Sequence, residues 1–316
     1  MKHLIRLWCA FVRLLSTKEG AESLALFRIL MALVIVCYLM SLWSVDFVSI
    51  FWTDKKFGGI QTHYGTPLVK YLGGATPQVV EGLFWGSVSL AILMALGLGG
   101  RLVIFCLSVT YYGLIALNYD ISGGFDLMFT NGLWILCFSS CTKTWSLDCL
   151  IKNKKWSCDD TISAWPRYLL IFQLLLIYFS TGIQKVSPNW NPGGRYRALY
   201  YALTDPSWYK IDPDFWAHKF TFFLTQVGTA VTWHWEQTAP LMFLILYFRM
   251  DKTKTGFWRK IFNKYDLRKV WMFFGVSLHI GILFTMAVGP FSWIALSYYV
   301  NFFRPEEVRR FFAKRQ

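Results

Sequence analysis

From Ser23 to Trp43 the chain carries one charged side chain, Arg28, in a run otherwise dominated by Leu, Ile, Val, Ala, Met and Phe. A helix needs about 20 mostly apolar residues to cross a bilayer, where every backbone polar group must be satisfied internally. A run of this kind leaves the chain few options, and it recurs. Glu22–Trp43, Val79–Leu98, Leu102–Asn118, Leu127–Ser140, Pro166–Ile183, Trp233–Tyr247, Val270–Val288 and Phe291–Phe303 all read as spans. The fourth and eighth are short, which suits tilted or partly re-entrant segments. Phe220–Trp233 either extends the sixth span or lies beside it. The expected fold is all-α, a polytopic transmembrane helix bundle of about eight spans.

Composition agrees. Apolar residues make up 55% of the chain and charged residues only 16%, whereas soluble domains sit near 45–50% and about 25%. The net charge of +14 raises the question of nucleic acid. That partner is excluded because the Lys and Arg residues lie between apolar runs and form no separable basic module. Their placement reports orientation instead. They crowd into alternate segments: Lys2–Lys18, Arg101, Lys143–Arg167, Arg249–Lys269 (with Lys252 and Lys254) and Arg304–Arg315 (with Lys314). The other segments carry far fewer, among them Lys55, Lys70, Lys185 and Lys210. This asymmetry predicts that both termini are cytoplasmic. Two aromatic-rich loops, Ser44–Gln78 and Gln184–Lys219, then face outward.

The expected organisation has three parts. Residues 1–20 form an amphipathic N-terminal segment, in which Arg6, Trp8, Phe11, Arg13 and Leu15 alternate charge and bulk, and no cleavable signal peptide is expected. Residues 21–305 form the membrane domain, and 306–316 a basic cytoplasmic tail. Cys149 and Cys158 share a loop on the cytoplasmic side and are expected as free thiols. The His and Cys spacing matches no zinc motif, so no metal site is expected.

A charge at membrane depth costs several kcal/mol, roughly 2.5–3.5 on insertion scales, so such residues have a partner or a task. Arg28 either snorkels, pairs with a carboxylate such as Glu81 or Asp126, or faces the bundle interior as a site arginine. Asp126 opens the fourth span, as a helix N-cap or as an inward partner for Lys185. His234 and Glu236 lie at the outer end of the sixth span, and His279 lies deeper, within Gly275-Val-Ser-Leu-His279. The most unusual stretch is Tyr178-Phe-Ser-Thr-Gly-Ile-Gln-Lys185-Val-Ser-Pro-Asn-Trp190. Lys185 reads either as an interface anchor or, desolvated beside the small run Ser180-Thr-Gly182, as a base near neutral pH.

This stretch resembles the HTTM family, the vitamin K-dependent γ-carboxylase-like membrane proteins. The likeness rests on Tyr178-Phe-Ser-Thr-Gly-Ile-Gln-Lys185, Asn189-Trp190 and Ala198-Leu-Tyr-Tyr-Ala-Leu203. It extends in order to Leu24-Ala-Leu-Phe-Arg28, Trp145-Ser-Leu-Asp148, His234-Trp235 and the run from Leu278-His279 to Phe291. The resemblance implies an outward-facing site in which Lys185 is the base that deprotonates a reduced, vitamin K-like quinone, with Arg28, Asp126, His234 and His279 as neighbours. A second supporting histidine of the family has no counterpart at Gly124-Phe-Asp126, and no counterpart of the long lumenal part of the animal carboxylases is expected after Pro305. Short bacterial members include proteins that mature a secreted peptide, which implies a peptide or protein substrate and a place in the cell (inner) membrane. A non-catalytic scaffold binding a partner through its aromatic loops is the alternative. A transporter ranks last, because no pair of broken spans or internal repeat is visible.

Overall fold

The computed structural model describes the backbone of residues 2–250 and 255–313, and the side chains within these except residues 2–4, 6, 7, 10, 11 and 250. Lys252, Lys254, Lys314 and Arg315, which entered the orientation argument, lie outside the described residues, as do the side chains of Lys2, Arg6 and Phe11. The fold is all-helical, apart from one two-residue ladder in which β1 (Lys18–Glu19) pairs antiparallel with β2 (Ile162–Ser163). The chain divides into two compact units, Met1–Leu170 with Phe303–Gln316, and Ile171–Phe302.

In the first unit α1 (Lys2–Ser16) precedes α2 (Glu22–Trp43), followed by α3 (Phe47–Trp52), α4 (Pro67–Tyr71), α5 (Pro77–Leu96), α6 (Gly100–Ile115), α7 (Gly124–Phe138) and α8 (Leu147–Asn153). The C-terminal α17 (Pro305–Ala313) returns to this unit and packs on α2. Helix α5 lies against both α2 and α6, and α6 against α7. It begins cleanly because Pro77 needs no N–H partner at the first helical position and the Thr76 hydroxyl accepts the Val79 N–H at 3.3 Å. It ends at Gly97, whose φ of +70° favours glycine and whose Cβ would overlap the Arg28 guanidinium.

Leu24, Phe27, Met31, Ile35 and Leu39 of α2 are fully buried, one face at helical spacing. Yet the remaining faces of the long helices are apolar too. Leu33, Ile92, Leu102, Leu127, Leu176, Phe273 and Phe284 are exposed, Leu102 and Phe284 at 70%. Helices apolar all round that nonetheless expose such side chains have lipid, not water, as their outer solvent.

The second unit takes up α9 (Trp165–Gln184) from Ile171 and continues with α10 (Ala198–Leu203), α11 (Pro213–Ala217), α12 (Lys219–Gln237), α13 (Leu241–Met250), α14 (Phe257–Lys264), α15 (Leu267–Thr285) and α16 (Phe291–Tyr298). Helix α12 packs on α10, α11 and α15, and α15 on α13 and α16.

Among the described residues, α2, α5, α9 and α15 are long and apolar enough to cross a membrane, and α6 and α7 are shorter apolar helices. The expected sixth span, Trp233–Tyr247, is not one helix: α12 stops at Gln237 and α13 starts at Leu241. Pro240 explains the break, since it lacks an N–H and its ring clashes with the preceding turn. Phe220–Trp233 belongs to α12. The expected eighth span is the eight-residue α16 continued by a 3-10 turn over Tyr299–Phe302, shorter than a bilayer is thick.

Candidate functional site

Tyr178, Thr181 and Gly182 of α9 and Lys185, one residue past its end, recur at spacings of three and four and so continue one stripe. That stripe meets the last turn of α12, which carries Trp235 and Glu236. Lys185 Nζ forms an ion pair with Glu236 Oε2; the side chains are 18% and 7% exposed. The Trp190 ring covers the ammonium, with its centroid 4.5 Å from Nζ. The contact depends on Gly182: a Cβ there would fall 2.9 Å from Glu236 Cβ and 3.2 Å from the Gln237 backbone nitrogen. A carboxylate in a helix's last turn faces the negative end of its dipole, so Glu236 needs the cation that α9 supplies.

Two turns earlier on α9, the buried Tyr178 hydroxyl lies 2.5 Å from His279 Nε2 and accepts from the Tyr299 hydroxyl at 2.9 Å. The Tyr178 hydroxyl therefore has two polar neighbours, and the direction of its bond to His279 Nε2 is set by the imidazole tautomer. Nδ1 is buried without a partner among the described residues. Trp235 and Trp271 stack at 4.7 Å beside Tyr178, and Trp235 Nε1 donates to the Trp271 carbonyl at 3.0 Å. Gly275 makes room, since a Cβ there would overlap the Tyr299 hydroxyl.

A cavity of about 310 Å³ opens between α12 and α15 beneath α10, with a mostly apolar lining that includes Leu199, Leu203, Trp235, Phe274 and Leu278. Trp235 belongs both to this cavity and to the aromatic cluster around Tyr178.

The other expected site residues have separate settings. His234 is exposed, two residues before the buried Glu236 and therefore on another face of α12. In the first unit, Arg28 is fully buried and Nη2 donates to the Trp145 carbonyl at 2.6 Å, while Nε and Nη1 have no partner among the described residues. It therefore pairs with neither Glu81, which is exposed, nor Asp126. Asp126 is not an N-cap but the third residue of α7, which starts at Gly124. Its carboxylate accepts from the Gly123 N–H at 3.0 Å, Ser122 at 2.8 Å and Tyr111 at 2.6 Å, so both oxygens are occupied close at hand. Among the described residues no group of three or more His, Cys, Asp or Glu side chains could hold a metal ion.

With that geometry in place, the comparison with known families is decisive: residues 17–306 match the HTTM domain. The chain belongs to the HTTM family. It is an integral membrane protein of the vitamin K-dependent carboxylase-like type. No curated protein and no solved structure matches it. In this HTTM protein sequence reasoning had left Glu236, Tyr178 and Tyr299 without roles. Glu236 was within reach of a charge-matching argument: it is an acidic residue at the edge of one apolar run, as Lys185 is the cation at the end of another. The two tyrosines carried no comparable signal.

Proposed function

We propose that this HTTM protein is a membrane enzyme or peptide-maturation factor whose site centres on Lys185 as base and Glu236 as its proton partner. The ion pair is the observation that supports it. A base must first shed a proton, and the Glu236 carboxylate is the group at hydrogen-bond distance able to receive it. Lys185 can then take a proton from an acidic hydroxyl. The reading includes about eight spans, both termini in the cytoplasm, residence in the cell membrane, and a site facing outward toward a secreted peptide or protein.

A reduced, vitamin K-like quinone fits the second unit in size and polarity: the apolar cavity of about 310 Å³, walled by Trp235 and Phe274, suits a fused ring. Trp235, Phe274 and Leu278 would hold it. When bound, such a group supplies an acidic hydroxyl and, with oxygen, a stronger base than any side chain. Tyr178 and Tyr299 join His279 in a buried hydrogen-bonded cluster behind Trp235, and the Trp190 ring covers the Lys185 ammonium.

The test uses purified full-length protein with a reduced menaquinone analogue and oxygen, reading quinone epoxide by chromatography. Wild type is expected to form the epoxide, and Lys185→Met/Glu236→Leu is expected not to. The paired replacement is needed because Lys185→Ala alone strands a buried carboxylate. No epoxide from wild type, or equal rates from both proteins, overturns the reading.

A further inference from the structure

In the first unit the loop between α2 and α5 is a built platform. Asn118, 1% exposed, uses its full hydrogen-bonding capacity to brace it. Nδ2 donates to the Phe51 carbonyl at 2.9 Å and the Ile60 carbonyl at 3.2 Å, and Oδ1 accepts from Thr62 Oγ1 at 3.2 Å and the Asp120 N–H at 3.1 Å. The Leu117 carbonyl accepts from the N–H groups of both Thr62 and His63, and the Asp54 N–H reaches across to the Ala75 carbonyl at 2.9 Å. These bonds frame a cavity of about 760 Å³ whose lining includes Asp54, Lys55, His63, Tyr64, Lys70 and Gly74.

The charges in this cavity do not cancel. Lys55 and Lys70 come from separate segments, and neither has a carboxylate partner among the described residues. Asp54, the one acidic lining residue, turns Oδ1 to the Lys56 N–H at 2.9 Å. The segments that supply this lining also carry exposed apolar and aromatic side chains: Tyr64 in the lining itself, and Phe57, Ile60, Tyr71 and Leu72 next to lining residues in the chain, with both tyrosines near 90% exposed (87% and 89%). Cations inside an amphipathic rim are the arrangement that membrane interfaces select, rings and alkyl groups at the headgroup level and lysines at the phosphates. The lysines supply point charges for a phosphate, and the exposed rings and alkyl groups supply the interfacial contact that a lipid makes and a free phosphate does not.

We infer that this cavity is a binding site for the phosphate-bearing headgroup of an anionic membrane lipid, held by Lys55 and Lys70 with the aromatic rim in the interface. The site is independent of the chemistry assigned to Lys185, and both lysines are exposed, so their replacement leaves folding intact.

The experiment adds dioleoylphosphatidylglycerol or dioleoylphosphatidylcholine to the full chain in detergent, reading tryptophan-detected thermal unfolding and lipid adducts by native mass spectrometry. Phosphatidylglycerol is expected to raise the unfolding temperature above the phosphatidylcholine value and to leave one retained lipid. Lys55→Gln/Lys70→Gln is expected to lose at least half of that difference and the retained lipid. The charge-matched Lys152→Gln/Lys154→Gln is expected to keep both. Equal effects of the two lipids, equal losses in the two double variants, or the same stabilisation from 10 mM inorganic phosphate each overturn the inference.

Discussion

Replacing Lys185 by Met removes the cation but leaves Glu236 with a side chain only 7% exposed, at the negative end of α12. Breaking one side of a buried pair costs about 3–5 kcal/mol, and the 18% exposure of Lys185 puts this case near the lower end, about 3 kcal/mol. Replacing Glu236 by Leu should cost less, about 1–2 kcal/mol, because the freed ammonium can extend its stem toward water while staying near Trp190. The double variant replaces a charged pair by apolar groups of similar volume and should sit within about 1 kcal/mol of wild type. The coupling free energy is then at least about 3 kcal/mol. Equilibrium unfolding in mixed dodecyl sulfate micelles, followed by tryptophan fluorescence, measures all four corners. Single effects that add to within about 0.5 kcal/mol would refute the reasoning. So would a Glu236 replacement that costs more than the Lys185 one, since the argument rests on which partner is left buried.

Asn118→Leu should cost about 2–4 kcal/mol, because two loop carbonyls lose their donors at a buried position; the same unfolding assay checks it, and a cost under about 1 kcal/mol would mean the platform does not depend on its brace. Gly275→Val should separate Tyr299 from Tyr178 and lower the yield of folded protein, measured by size-exclusion of a fluorescent fusion; an unchanged profile would show that α15 can shift. Burial pushes the Cys149 thiol up, so in a protein retaining only Cys149 and Cys158 maleimide should label Cys149 the more slowly at pH 7.5, and equal rates would contradict its burial. The Ser207 N–H, donating to the carboxylate at 2.8 Å, holds Asp205 below the usual carboxylate range. The turn's extra stability is therefore present above the unfolded value of about 3.9 and lost as pH falls through the lower folded value. The Trp208 emission should shift in that acid window, and Asp205→Asn should abolish the shift.

The long spans were legible because a bilayer leaves so few backbone options: the buried face of α2, from Leu24 to Leu39, is a pattern any helical reading finds. The break at Thr238–Pro240 was hidden because hydropathy summed over Trp233–Tyr247 does not weigh a missing N–H. Asp126 was displaced from N-cap to third residue because Gly123 and Gly124 start the helix earlier, where side-chain capping gives no cue. The partner of Arg28 is not legible in sequence because its acceptor is the backbone carbonyl of Trp145, and a carbonyl carries no residue-type signature. Around Lys185 the motif was specific enough to give the family, yet the partner Glu236 lies 51 residues away, and only packing at Gly182 brings it there.

In the first unit, Glu22 opens α2 fully buried, and its carboxylate is held by Arg309 of α17, 287 residues later. At synthesis rates of about 5–20 residues per second, that carboxylate waits on the order of 15–60 s for its counterion. Ser23, whose hydroxyl donates to the Phe303 carbonyl at 2.9 Å, waits almost as long. The first helix to enter the membrane is thus among the last to be finished. Until α17 is made, the N-terminal turn of α2 lacks the partner that holds Glu22, which makes α17 a closing latch in time as well as in space.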